Sequence, residues 1–202
     1  MIVGITGGIG AGKSLVARYF GKRGAIIVDA DKIGHRVLEM AVVKERLKAV
    51  FGGDILKRDG KVDRRRLGRR AFVNEDVYGE LNRIVQPPLS TALHDEVAAA
   101  TSSGAKVVVV EAPVLFEWGN IEAFDVIVVV DAAEGCRVER IVKQGRLSCE
   151  EIKTRMAFQL PAEYKREMAD HVIANNGTTE DLEERVEALW TQLLGDVAEI
   201  KT

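Results

Sequence analysis

The sequence predicts an α/β fold with a five-stranded parallel sheet flanked by helices, and two patterns carry that prediction. Short β-branched runs alternate with longer stretches of helical periodicity. The strand candidates are also apolar along their whole length, not at every second residue, which suits strands covered by helices on both faces. These strands are expected at Ile2–Thr6, Ala25–Val28, Val107–Glu111, Val126–Val130 and His171–Ala174. The first helix is expected at Lys13–Gly21. The last is expected at Asp181–Leu194, where Leu182, Val186, Leu189, Trp190 and Leu193 fall on one face.

Two stretches exceed what a simple crossover needs. Residues 32–103 are mostly helical in pattern and are interrupted by turn chemistry at Gly52-Gly53-Asp54 and Asp59-Gly60. They read as a helical substrate-side subdomain. The polar helical segment Glu134–Met168 lies between the fourth and fifth strands and reads as a lid. The 202 residues thus form one domain, with a core of residues 1–31 and 104–202, a lid at about 134–168 and a subdomain at about 32–103.

Composition narrows the class of partner. The chain is 47% hydrophobic, enough for a full core, and its net charge of −2 argues against bulk nucleic-acid binding. Its apolar runs, such as Val107–Val110 and Val126–Val130, fall well short of the ~20 residues that span a bilayer. The N-terminal residues Met1–Thr6 lack the basic start of a signal peptide. Cys136 and Cys149 have no metal-like spacing, and His35, His94 and His171 stand apart. A cytoplasmic protein with two reduced thiols, and no membrane or nucleic-acid partner, is expected.

Gly7-Gly8-Ile9-Gly10-Ala11-Gly12-Lys13-Ser14 matches G-x-x-x-x-G-K-[ST] in full, with an apolar strand before it and a helical pattern after it. That setting is the one a phosphate loop needs, and it specifies a P-loop NTPase fold. Gly7, Gly8, Gly10, Ala11 and Gly12 let backbone N–H groups approach phosphate oxygens, and the helix beginning at Lys13 and Ser14 aims its positive end at them. Lys13 would bridge the β- and γ-phosphates of ATP, and the Ser14 hydroxyl would ligate Mg²⁺. Leu15 completes the nucleotide-binding segment.

The loop alone does not separate kinases from switches and ATPases. No N-K-x-D guanine motif is present. Glu111, at the end of an apolar strand, could fill the acidic position of an ATPase. Val28-Asp29-Ala30-Asp31 favours a kinase, because acidic groups at a strand's carboxyl end lie where α/β sheets bind ligands. Asp31 there can accept the proton of an attacking hydroxyl and share in holding Mg²⁺. Asp29 is as readily an N-cap for the helix that follows.

Several separated motifs resemble the dephospho-coenzyme A kinase family. They are Thr6–Ser14, the Asp29-Ala30-Asp31 segment with Ile33 and Arg36, and Gly60-Lys61-Val62-Asp63-Arg64 with Leu67 and Phe72. Pro113-Val114-Leu115-Phe116-Glu117 and the set Arg155, Gln159, Lys165, Ala169-Asp170 and Ile173–Gly177 complete the series. The resemblance implies ATP-dependent phosphorylation of the ribose 3′-hydroxyl of dephospho-coenzyme A, the last step of coenzyme A biosynthesis. It implies that Asp31 is the base, that Arg64 and Gln159 serve the substrate, and that Arg140 lies over the transferring phosphate. Asn175, Asn176 and Gly177 would set backbone groups against adenine.

Arg65, Arg66, Arg69 and Arg70 read as solvated surface. Phe116 reads as core packing. A kinase acting on a nucleoside or nucleotide, and a regulatory ATPase, remain the alternatives, and monomer and homo-oligomer are both open. The sequence also departs from the family's pattern. Gln86-Pro87 stands where the family often has His-Pro, and Gln144 stands where it often has a second lid arginine. Arg146 or Lys143 could take over that arginine's charge.

Overall fold

The computed structural model describes residues 1–119, 121–143, 145 and 148–199. Five strands, β1 (Ile2–Thr6), β2 (Ile26–Asp29), β3 (Val108–Glu111), β4 (Val126–Asp131) and β5 (His171–Ala174), form one sheet in the order β2-β3-β1-β4-β5. β1 pairs in parallel with β3 and β4, and β4 pairs in parallel with β5. From β1 the chain crosses to β2 on one side of the sheet, and from β3 it crosses to β4 and β5 on the other. Pairing of Ile5 with Glu111 and of Thr6 with Val129 sets the carboxyl ends of β1 and β3 within one residue of each other, and β4 runs two residues further to Asp131. That edge, where the connections part in opposite directions, is the ligand side of an open α/β sheet.

Clustering of contacts divides the chain into two compact units, Met1–Val28 with Val97–Thr202, and Asp29–Glu96. In the first, α1 (Lys13–Lys22) and α9 (Thr179–Glu199) cover one sheet face through Phe20 and Trp190, whose rings meet edge to face at 5.7 Å. Val3, Ile5, Val109, Val128 and Val130 project into the same core. The segment between β4 and β5 resolves into α6 (Glu134–Lys143), α7 (Cys149–Ala157) and α8 (Ala162–Glu167). Ser148 and Glu151 form a capping box that starts α7.

The second unit holds α2 (Ala30–Leu38), α3 (Ala41–Phe51), α4 (Arg64–Ala71) and most of α5 (Glu75–Ser102). Val43, Leu47 and Phe51 form the buried stripe of α3. The expected turn at Asp59-Gly60 closes a small hairpin bridged between Leu56 and Val62, and Asp63 then caps α4 by accepting from the Arg65 and Arg66 amides. The basic run is not uniformly solvated surface. Arg66 donates to the Asp54 carbonyl, while Arg70 donates to the Phe51 carbonyl and pairs with Asp54 at 2.7 Å. Arg70 thereby ties α4 to the carboxyl end of α3, where helix carbonyls lack partners, and Arg66 ties it to the turn that follows.

Element boundaries moved for identifiable reasons. β2 extends to Asp29, because that side chain accepts from the Lys32 amide at 3.0 Å and starts α2, as the N-cap reading had it. α9 starts earlier than Asp181, at Thr179, after Thr178 and Asp181 exchange side-chain hydrogen bonds. Pro87 and Pro88 lie inside α5 and remove two amide donors from it. Cys136 and Cys149 are free thiols. Among the described residues no helix is long and apolar enough to cross a membrane, and no cluster of three metal-ligating side chains occurs.

Candidate functional site

The phosphate loop connects β1 to α1 at the ligand edge of the sheet. Gly7 and Gly12 hold φ of +142° and +102°, a region that a Cβ makes costly. Space demands glycine as well: a Cβ on Gly7 would strike the Val130 carbonyl, and one on Gly12 would strike the Asn175 amide. No side chain caps α1 at Gly12. Its first-turn amides are therefore left for an anion.

Other segments hold the loop from several sides. Lys13 is only 9% exposed and donates to the carbonyls of Gly7 and Gly8 at 3.1 Å each, so its ammonium lies against the loop. The Ile9 amide donates to Gln159 Oε1 at 3.1 Å, just beyond α7. Asn175 Nδ2 donates to the Ala11 carbonyl at 2.7 Å. The Ser14 hydroxyl donates to Glu111 Oε1 at 2.6 Å, joining the first turn of α1 to the end of β3. Leu15 packs against the core behind the loop.

The helices between β4 and β5 contribute cations. Arg140 does not pair with Glu139, which is bound to Lys143 at 2.7 Å. Arg140 Nη2 instead donates to the Asn175 carbonyl at 2.9 Å, and its Nη1 is buried without a hydrogen-bond partner among the described residues. Asn176 Oδ1 accepts from the Ala133 amide at 2.8 Å, and a Cβ on Gly177 would collide with the Asp181 carboxylate. The side chains of both asparagines are thus committed to shaping the loop ends, and the Asn175 amide is bound to the Asp131 carbonyl at 2.7 Å. A cavity of about 670 Å³ opens beside Gly8, lined by Asp131, Arg137, Gln159, Arg166 and Asn176 among others. Arg166 bridges Asp131 and Glu163 at 3.0 and 2.9 Å. Gln144 and Arg146 lie outside the described residues.

The second unit gathers another set. Arg64, at the start of α4, contacts the His35 ring on α2. Burial, then the Arg64 guanidinium, hold His35 below its ordinary pKa, while Asp31 and Asp29 oppose that shift. Asp31 and Arg64, far apart in sequence, therefore share one electrostatic neighbourhood centred on His35. Gln86 lies within α5.

In the sequence His35 stands apart from the other histidines, and Glu111 carries no assigned role. The signal for His35 was its position one helical turn after Asp31. For Glu111 it was the level register of β1 and β3, which no single-chain pattern states. The loop residues, Lys13, Ser14, Arg140, Gln159 and Asn175–Gly177 all lie in the first unit, and Asp31 and Arg64 in the second.

A family model for dephospho-CoA kinase matches residues 1–181. A dephospho-CoA kinase from Corynebacterium diphtheriae is 38% identical over 197 residues, covering 97% of this chain and 98% of that one. Among solved structures, a Thermus thermophilus protein aligns with a TM-score of 0.78 at 34% identity, over 96% of this chain and 97% of its own. A dephospho-CoA kinase from Campylobacter jejuni aligns at 0.69 and 25% identity, over 95% and 96%. With a family model spanning nearly the full length and a relative this similar from end to end, the chain belongs to the dephospho-CoA kinase family.

Proposed function

We propose that this chain transfers the γ-phosphate of ATP to the ribose 3′-hydroxyl of dephospho-coenzyme A, the last step of coenzyme A biosynthesis. One observation carries the reading: a phosphate loop held in binding shape by Lys13, Gln159 and Asn175, in a chain of this family. The bond between the γ-phosphorus and the β-bridging oxygen breaks, and its electron pair leaves on ADP. A new bond forms from the ribose oxygen, whose proton passes to Asp31. In so loose a transfer, alignment and charge stabilisation matter more than base strength.

The roles follow from the chemistry each residue offers. Gly7, Gly8, Gly10, Ala11, Gly12 and Leu15 belong to the segment that receives the phosphates, and Lys13 bridges the β- and γ-groups. Arg140 stabilises the transferring phosphate with its uncommitted Nη1. Backbone groups at Asn175, Asn176 and Gly177 receive adenine. We assign acceptor binding to the unit Asp29–Glu96, through Asp31 and Arg64, with Gln159 contributing from beyond α7. The segment Glu134–Met168 acts as the lid. We read the enzyme as cytoplasmic.

Mg²⁺ fits the residues present. The Ser14 hydroxyl and the Glu111 carboxylate share a 2.6 Å hydrogen bond at the loop, an oxygen pair suited to a hard cation that keeps several waters. Ser14, Asp31 and Glu111 would hold it. When bound, Mg²⁺ supplies positive charge to the phosphate oxygens.

One coupled assay tests the reading: ATP consumption with dephospho-coenzyme A, with adenosine, with nucleoside monophosphates, and with no acceptor. Stimulation by dephospho-coenzyme A alone is expected. Stimulation by a nucleoside or nucleotide instead, or hydrolysis that ignores every acceptor, would overturn it. Asp31→Asn should lower kcat by at least about 100-fold with ATP affinity nearly unchanged; unaltered turnover would remove Asp31 from the mechanism.

A further inference from the structure

Arg137 plays no part in the reading of the site so far, although it stands on the same lid helix as Arg140. The two are three residues apart on α6 and so share a face. Their surroundings differ. Arg140 is tied to Asn175, and Lys143, the other cation available on that helix, is exposed and paired with Glu139. Arg137 is half-buried, and its guanidinium lies directly against Gly8, so that a Cβ there would collide with Nη1. It lines the cavity that opens beside the loop, together with Gly8 and Gln159.

Its Nε is shielded from solvent and meets no hydrogen-bond acceptor among the described residues. The nearby Glu163 carboxylate is held down chiefly by its own backbone hydrogen bond and by Arg166, with Arg137 only the smallest contributor. A guanidinium stays protonated at any working pH, and a buried donor without an acceptor is costly. Here that donor belongs to a fork lying on a loop whose own amides are arranged for phosphate. An anion on the loop would complete it.

We propose that Arg137 is a phosphate-contacting residue of the donor site, reading the terminal phosphate of bound ATP. It stabilises the charge on that group while the bond to the β-phosphate oxygen breaks and the bond to the acceptor oxygen forms. The proposal rests on the kinase reading above. It also supplies, from a different position on the lid, the second cation that family resemblance puts at Gln144.

The test uses Arg137→Gln and Arg137→Lys in the full chain. Calorimetric titration with ATP and with ADP, both with Mg²⁺ and without acceptor, comes first. Loss of a charge-assisted contact to the terminal phosphate predicts about tenfold weaker ATP binding by the Gln variant. ADP affinity should stay within about twofold. With dephospho-coenzyme A, kcat should fall about 100-fold in the Gln variant while KM for the acceptor holds, and Lys should restore part of the rate. A structural prop would weaken ATP and ADP together, and a bystander would weaken neither; either outcome overturns the proposal. If the Gln variant fails to fold, the ATP-to-ADP ratio of the Lys variant decides. If the unmodified chain ignores dephospho-coenzyme A, the kinase reading fails, whereas the ATP-to-ADP ratio still decides for Arg137.

Discussion

Replacing Lys165 by Met removes the cation from the most buried ion pair described in this protein. Lys165 is 2% exposed, and its Nζ lies 2.8 Å from Glu117 Oε1 and 3.2 Å from the Pro113 carbonyl. Glu117 is 17% exposed, accepts from the Leu160 amide at 3.0 Å, and has its Oε2 buried without a hydrogen-bond partner among the described residues. The single lysine therefore joins α8, the turn before it and the loop after β3. Met fills nearly the same volume, so packing is kept and the electrostatic loss is isolated. Removing one member of a buried pair costs about 3–5 kcal/mol, because the other charge is left uncompensated. Partial access of water to Glu117 favours the lower end, about 3 kcal/mol. For a chain of this size that corresponds to a fall in Tm of about 6–12 °C.

Urea unfolding of the parent, Lys165→Met, Glu117→Gln and the double variant measures both the loss and the coupling. Glu117→Gln alone leaves a buried ammonium and should also destabilise. The double variant should lie at least about 1.5 kcal/mol above the sum of the singles, since neither charge is then stranded. A Lys165→Met protein within about 0.5 kcal/mol of the parent would refute the reasoning, as would strict additivity.

Two further predictions concern the loop and the second unit. Gly12→Ala needs φ near +102° and space held by Asn175, so ATP affinity in a titration should fall at least tenfold, roughly the effect of 1–3 kcal/mol of strain placed on the loop; parent-like affinity would show that the loop yields. By NMR, His35 should titrate below 6.5, move up in Arg64→Ala and move further down in Asp31→Asn. Because its folded value lies below its unfolded one, the stability it contributes is present above about 6.5 and is lost as pH falls through the folded value. A His35 titration unmoved by Arg64→Ala would break the assignment.

How much was legible in the sequence follows from which interactions are local. Continuous apolar runs located every strand; the three central ones are buried on both faces and leave no alternation to misread, while the edge strands β2 and β5 keep Ile26 and Val172 exposed. The phosphate loop was legible for the same reason: its glycines, lysine and serine act on one backbone turn. The Asp29 and Asp63 caps were also within reach, each bonding to amides two or three residues on. Pairings across the sheet were not. Ser14 meets Glu111 only because β1 and β3 run side by side in register, and Asn175 meets Ala11 only because β5 ends near the loop. Arg66 and Arg70 read as a solvated face, since nothing in their own helix announces the Asp54 and Phe51 carbonyls they bind. Arg137 was passed over because periodicity places it beside Arg140 without saying which of the two reaches Gly8.

The same long-range bonds bear on how the loop works. Val130 and Asn175 leave room for nothing larger than glycine at positions 7 and 12, Gln159 holds the Ile9 amide, and Asn175 in turn is held by Arg140. Each anchor comes from β4, the residue that follows β5, or the segment between those strands. A loop fixed in this way keeps its amides convergent before any phosphate arrives, so binding needs little ordering of the backbone. The anchors also tie the loop to the helices between β4 and β5: a shift of Gln159 or Arg140 must carry Ile9 or Asn175 with it. Anion affinity at the loop and the position of those helices are then linked quantities, and a ligand that strengthens one biases the other by the same free energy.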